Sequence, residues 1–417
     1  MSQTISEKIF SSHIRKEVSA GEVVEAEVDY VMVNDVTGLP AFEAYKNFNV
    51  EPMIDKVVLI PDHYVPNKDV PSAMQAKAMR EFAKNHHIKN YFEIGRSGVC
   101  HQLMIEKGFV APGRLIVGAD SHTCTYGALG CFSTGIGSTE AASAMATGKL
   151  WFKVPETQKF VINKNLKKFV GGKDVILAII RDIGVDGALY KTMEFYGETV
   201  NHLPLADRIT ISNMAIEAGG KAGIFPADEK VSEYLNGRVI GNYKAVYADE
   251  NAEYCETFNY DAGKIDCMVA MPHLPSNVKP ASELNHIAID QAYLGSCTNG
   301  RLEDLRIAAK ILKNKKVNGA VRMIVVPAST EIYTQAMNEG LFEIFINAGA
   351  YISGPTCGAC LGGYMGVLAS KERCISSTNR NFIGRMGAKD SEVYLANSAV
   401  VAASAITGRI TDPNEIL

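Results

Sequence analysis

"QAYLGSCTNGRLEDLRIAAKILKN", residues 291–314, is the stretch on which the fold turns. The apolar run at 291–295 reads as a short strand. It passes into the polar group Ser296-Cys297-Thr298-Asn299 and then into a helical segment from 302 to 314. In that segment Leu302, Leu305, Ala309 and Leu312 share one face, and Asn299 falls in the N-cap region. A strand, a polar loop and an amphipathic helix in this order form the unit of layered α/β domains with mostly parallel sheets.

The unit recurs outward in both directions. "KVVLI" (56–60), "RLIVGA" (114–119), "RMIVV" (322–326) and "GAYISG" (349–354) read as strands. "PSAMQAKAMREFAKNH" (71–86) and "STEAASAMATGKLW" (138–151) read as helices. "WFKVPET" (151–157) ends a helix at a proline and opens a strand, and "MPHLPSNVKP" (271–280) is proline-rich. The expected α/β domains are therefore 1–155, 156–275 and 276–417. The length of 417 residues agrees with two or three cores.

Composition removes several function classes. The net charge is −4, with 47% apolar and 21% charged residues, so neither a nucleic-acid footprint nor a basic membrane face is expected. No apolar run approaches the roughly 18 residues that span a bilayer. "MSQTISEKIF" has no apolar core of a signal peptide. Nine cysteines without a secretory signal point to a reducing cytoplasm and against a disulfide framework. The lysine-rich "KNKKVN" (313–318) reads as a solvated helix end.

Four polar groups directly follow strands: Pro61-Asp62-His63, Asp120-Ser121-His122, Ser296-Cys297-Thr298-Asn299 and Pro355-Thr356-Cys357. Ligands of open α/β sheets bind beyond the carboxyl ends of strands, so the repetition suggests one shared cleft. Singly, such residues cap helices and start turns just as readily. Cys357 and Cys360 form a CxxC with Cys297 as a third strand-end thiol. Structural zinc normally takes four ligands, and no second pair is present. A redox CxxC would sit near the start of a small domain. On chemistry alone an iron–sulfur cluster on three thiols, a zinc ion and packed thiols all stay open.

"GSCTNGRLEDL" (295–305), "GPTCGAC" (354–360), "GADSHTCTYGALG" (118–130) and "STNRNFIGRMG" (377–387) resemble the aconitase superfamily, and the likeness runs from "TISEKIF" to "ITDP". The resemblance implies three α/β/α domains around a central [4Fe–4S] cluster held by Cys297, Cys357 and Cys360, with one iron open to substrate. It implies hydro-lyase chemistry on a 2-hydroxy di- or tricarboxylic acid. It implies catalytic roles for Asp62, His63, His101, Asp120, His122 and Glu217. It implies substrate contacts by Asn34, Ser121, Asn213, Asn379, Arg380 and Arg385. Asn34 stands where aconitase itself has glutamine. The resemblance also implies that the swivel domain of full-length relatives comes from a separate small subunit, the expected partner in a heterodimer or heterotetramer.

The residues agree with that chemistry. Moving water across a 2-hydroxy acid needs a Lewis acid, an acid near neutrality and arginines for the carboxylates. A base for the carbon-bound proton is not evident. The glycines of "GALGCFSTGIGSTE" (127–140) do not form a dinucleotide loop, because Glu140 replaces the third glycine. Cys100, Cys124, Cys131, Cys255, Cys267 and Cys374 are expected as packed, inert thiols. His13, His86, His87, His202 and His286 are expected at the surface, with His273 orienting a loop. A non-enzymatic, RNA-binding iron sensor is disfavoured by the acidic charge and the intact Asp/His groups. A zinc-held structural protein would carry zinc without acid-labile sulfide.

Overall fold

Val57–Ile60 and Leu115–Gly118 are buried along their whole length, as strands covered on both faces must be. They belong to a four-stranded, all-parallel sheet ordered Val57–Ile60, Tyr30–Asn34, Leu115–Gly118, Phe132–Gly135. The computed structural model describes residues 2–416. A second parallel sheet is ordered Glu256–Asp261, Thr157–Asn163, Thr192–Tyr196, Ala222–Ile224. A third has seven strands. Its parallel core runs Glu392–Ala396, Arg373–Ser376, Gln291–Gly295, Arg322–Val326, Tyr351–Ile352, with Met268–Ala270 and Val278–Pro280 added antiparallel at one edge.

Helices cover these sheets by their apolar faces. Leu302–Leu312 buries Leu305, Ala309 and Leu312 in the core of the third sheet, with Leu302 packed at its margin. Gly172–Ile183 lies between the second sheet and the first strand of the third, where its aliphatic residues join both cores. Among the described residues no helix is long and apolar enough to cross a membrane.

Several local expectations change. The helix expected over 138–151 ends at Thr147, because Gly148 takes the left-handed conformation and closes it. The apolar residues beyond belong to a strand, Lys149–Lys153, whose alternate residues are buried and which pairs antiparallel with Val23–Glu27. The strand expected at 349–354 is reduced to Tyr351–Ile352 at the sheet edge. Asn299 does not cap the helix it precedes. Arg301 takes the cap position, its N–H donating to Asp304 at 3.1 Å, while the Asn299 amide donates to the same carboxylate at 2.9 Å. The third sheet begins before the proline-rich stretch, since Met268–Ala270 pairs with Glu392–Ala396.

Candidate functional site

Asn34 ends a strand and caps the next helix, its side-chain oxygen accepting the N–H groups of Val36 and Thr37 at 3.1 Å each. The neighbouring carboxylate, Asp35, is fully buried. It accepts three backbone N–H groups across the sheet, from Asp62 at 3.0 Å, His63 at 2.9 Å and Tyr64 at 2.8 Å. The loop after Val57–Ile60 is therefore tied to the strand beside it. Asp35 went unnoticed in the sequence, where it reads as an acidic residue in a helical first turn.

The loops after Val57–Ile60 and Leu115–Gly118, the helix Cys100–Glu106 and the single turn Met214–Ala218 bring the acid and histidine groups together. Asp62 Oδ1 lies 2.6 Å from His63 Nδ1, and Asp62 Oδ2 accepts the Cys100 N–H at 2.7 Å. The second ring nitrogen of His63 is 3.5 Å from Asp120 Oδ2. Asp120 Oδ1 lies 2.9 Å from His101 Nε2 and accepts the His122 N–H at 2.8 Å. The Asn34 amide donates to Asp120 Oδ2 at 3.2 Å. His122 Nε2 meets Glu217 Oε1 at 2.8 Å, and the Arg380 guanidinium donates to the same oxygen at 2.8 Å.

The electrostatics follow from this chain of contacts. Burial opposes charge on His63, but the carboxylates of Asp62 and Asp120 outweigh it and hold the ring well above the ordinary histidine range. Burial likewise opposes charge on Asp120, and His101, His122 and His63 together hold its carboxyl well below the ordinary value. Glu217 is also lowered, against burial, by His122 and Arg380. Tyr126 Oη lies 3.1 Å from His101 Nδ1, and burial keeps this phenol neutral. A donating phenol there leaves the His101 proton on Nε2, facing Asp120.

The three thiols come from two loops of the third sheet. Cys297 follows Gln291–Gly295, and Cys357 and Cys360 follow the edge strand; all three are buried. The second loop is fixed to the first sheet, because the Asp62 carbonyl accepts the Cys357 N–H at 2.8 Å and the Thr356 hydroxyl at 3.0 Å. Amides of Asn213 and Asn379 each donate to Cys297 Sγ at 3.3 Å. A hydrogen bond from Cys357, helped by Arg385 and His122, lowers the Cys360 thiol against burial; the same hydrogen bond and burial raise Cys357, and burial raises Cys297.

A single tetrahedral zinc ion would draw its sulfurs to about 3.8 Å from one another. Among the described residues, the only set of three or more His, Cys, Asp or Glu side chains with ligand atoms all within 4.8 Å is Asp35, Asp62 and His63, whose Asp35 oxygens already serve the backbone. The three cysteines are thus spread wider than one ion requires. Three buried thiols on one cavity, with two amide N–H donors aimed at the Cys297 sulfur, suit a polynuclear iron–sulfur group.

These residues meet at one cavity of about 340 Å³. Its wall includes Asn34, His63, His101, Asp120, Ser121, His122, Cys297, Cys357, Cys360, Asn379, Arg380 and Arg385. Asp62, Asn213 and Glu217 stand one layer behind, holding His63, Cys297 and His122 in turn. The Nε of Arg385 is buried without a partner, which marks it as a donor available to an anion. Val36, Val99, Ile136 and Leu361 supply apolar wall.

Residues set aside in the sequence divide. Cys100 is buried as expected but lines the cavity, and Cys255 is exposed rather than packed. His87, His202 and His286 are exposed; His13 and His86 are half-buried, against Asp29 and Phe82 respectively. His273 is half-buried in its loop, with its Nδ1 unpartnered.

The family model of the aconitase family (aconitate hydratase) matches residues 7–408. The chain is 56% identical over 419 residues to the 3-isopropylmalate dehydratase large subunit of Thermodesulfovibrio yellowstonii, covering 100% of both. It is 56% identical over 420 residues to the protein of that name from Halothermothrix orenii, again covering 100% of both. Identity to the one from Picrophilus torridus is 55% over 414 residues, covering 99% of this chain and 100% of the relative. Among solved structures, Thermococcus kodakaraensis aconitase X in its holo-form superposes with a TM-score of 0.54 at 12% identity, over 96% of this chain and 99% of that one, a likeness of fold alone.

Proposed function

Since the chain belongs to the aconitase family, we propose that it is the large, catalytic subunit of a 3-isopropylmalate dehydratase, a hydro-lyase of leucine biosynthesis that interconverts 2- and 3-isopropylmalate. The observation that carries the reading is the convergence of three buried thiols, the Asp/His network and two arginines on one cavity. Cys297, Cys357 and Cys360 would hold a [4Fe–4S] cluster. When bound, that group supplies an open iron that acts as a Lewis acid toward hydroxyl and carboxylate oxygens.

The chain's own residues handle protons and orientation. His63, kept charged by Asp62 and Asp120, holds a proton on the cavity wall and delivers it to the leaving oxygen. His101 and His122 both face Asp120 Oδ1, at 2.9 and 3.7 Å, and that carboxylate, which stays ionised, keeps the two rings in place through dehydration and rehydration. Arg380 spends Nε on Glu217 and keeps its terminal nitrogens for a substrate carboxylate; Arg385 offers a second clamp. The apolar wall of Val36, Val99, Ile136 and Leu361 suits an isopropyl group and excludes water from the alkene stage.

A small subunit is the partner this reading requires. Its swivel domain would close the cavity and bring the base for the carbon-bound proton. The cytoplasm is the compartment the reading implies, because nine thiols and an open cluster suit a reducing environment.

Turnover tests the proposal. The anaerobically reconstituted chain, mixed with its small subunit, is assayed side by side on 2-isopropylmalate, homocitrate, citrate and 2,3-dimethylmalate. Preference for 2-isopropylmalate is the expected result. Preference for another acid keeps the chemistry and changes the substrate, and a fully loaded complex inactive on all four overturns the reading.

A further inference from the structure

Lys173 is buried to 1% exposure at the start of the helix Gly172–Ile183. Its Nζ donates to the Thr378 carbonyl at 2.6 Å, the Ser377 carbonyl at 2.9 Å and the Asn299 side-chain oxygen at 3.3 Å. All three partners are acceptors. Three N–H donors with no lone pair belong to the ammonium and not to the neutral amine. Burial pulls the group down to about 7, while Asp304, Cys360, Cys297 and Asp174 favour its charge.

The partners matter more than the burial. Ser377 and Thr378 lead directly into Asn379, whose amide donates to Cys297 Sγ. Asn299 lies two residues beyond Cys297 in the other loop. One side chain from a helix covering the second sheet thus joins both loops behind the sulfurs. Lys173 and Asn299 also line a separate cavity of about 220 Å³, shared with Asp207, Glu303, Asp304 and Asn397.

We propose that Lys173 is a positioning residue for the cluster: its ammonium fixes the spacing of loops 296–299 and 377–379 and sets a positive charge behind the thiolates. The inference rests on the reading of Cys297, Cys357 and Cys360 as cluster ligands. Groups that orient ligands from behind typically change metal affinity by about 10–100-fold when removed. Charge and hydrogen bonding near the sulfurs also set a cluster's electronic properties.

The test uses the full-length chain, reconstituted anaerobically as wild type, Lys173→Met, Lys173→Gln and Lys173→Arg. Iron and sulfide content, the rate at which a chelator bleaches the cluster absorbance, and the spin-resonance spectrum of the reduced cluster are read on each. Lys173→Met is expected to bleach at least about tenfold faster than wild type. Its reduced spectrum should shift, and Lys173→Arg should recover part of both. A loaded Lys173→Met chain with wild-type bleaching and spectrum overturns the inference while leaving the cluster reading intact. If Lys173→Met does not fold, Lys173→Gln, which keeps a donor for the carbonyls without the charge, decides in the same way. A wild-type chain that takes up no iron or sulfide overturns the cluster reading, and this inference with it.

Discussion

The Asp120 carboxylate lies between two histidine rings, with Oδ1 2.9 Å from His101 Nε2 and Oδ2 3.5 Å from His63 Nε2. Neither ring can hold a proton without sensing the other through this group. Asp120→Asn keeps the shape and removes the charge. Turnover should fall by about 10²–10⁴-fold, the usual worth of general acid–base catalysis, with iron content unchanged. Steady-state rates alongside iron and sulfide assays check both halves. A mutant within a few-fold of wild type would show that Asp120 only props the loop.

Cys357→Ser should leave about tenfold less iron and sulfide after reconstitution and abolish turnover. Cys255→Ser alters the exposed thiol and should change neither. Equal iron in both variants would remove Cys357 from the ligand set.

Arg385→Lys should raise KM by about tenfold or more, because an ammonium cannot reproduce a bidentate grip on a carboxylate. kcat should change less. The reverse split would place Arg385 at the chemical step and not at the carboxylate.

Gly135 ends the last strand of the first sheet, and a β-carbon there would stand 2.6 Å from the Asp120 carbonyl and 2.8 Å from Ser121 Cα. The contact is backbone on both sides, so the site loop must move. Gly135→Ala should cost about 10²-fold in kcat, the scale of a misplacement near 1 Å. Its cluster content should match wild type, since the thiols sit on other loops.

His13 pairs with Asp29 at 2.9 Å in the last turn of the N-terminal helix. Burial lowers its pKa, but the hydrogen bond and charge of Asp29 win and raise it above 6.5. A raised value means the contribution to stability is full below 6.5 and is lost as pH rises through the folded value. Asp29 is 37% exposed, and solvent screening limits the contribution to about 1 kcal/mol or less. His13→Gln should therefore lower the urea midpoint at about pH 6 and converge on wild type by about pH 9. A gap that widens with pH would reverse the assignment.

The strand-end loops were legible in the sequence because an apolar run followed by Asp, His or Cys is a local pattern. It needs no knowledge of what packs beside it. Asp62, His63, Asp120 and Cys297 could be picked out on that basis. His101, Asn213 and Glu217 entered only through the family motifs, for they sit on a helix, at a helix end and in a single turn, where nothing local separates them from ordinary polar residues. Asp35 and Lys173 were not seen at all. The role of Asp35 exists only because Tyr30–Asn34 pairs with Val57–Ile60, and that of Lys173 only because a helix of one sheet reaches the loops of another. The strand Lys149–Lys153 was mistaken for helix although Gly148 marked the break; its apolar residues fit either period over so short a span.

The strand Glu392–Ala396 lies between Met268–Ala270 and Arg373–Ser376 in the third sheet. A ribosome delivers it more than a hundred residues after its first neighbour, so Met268–Ala270 must wait, unpaired on that side, until Glu392–Ala396 emerges. The Cys357 loop likewise clasps Asp62, which left the exit tunnel almost three hundred residues earlier. The cavity wall that holds His63, Cys357 and Cys360 is therefore a late product of folding, assembled only when distant parts of one chain have found each other.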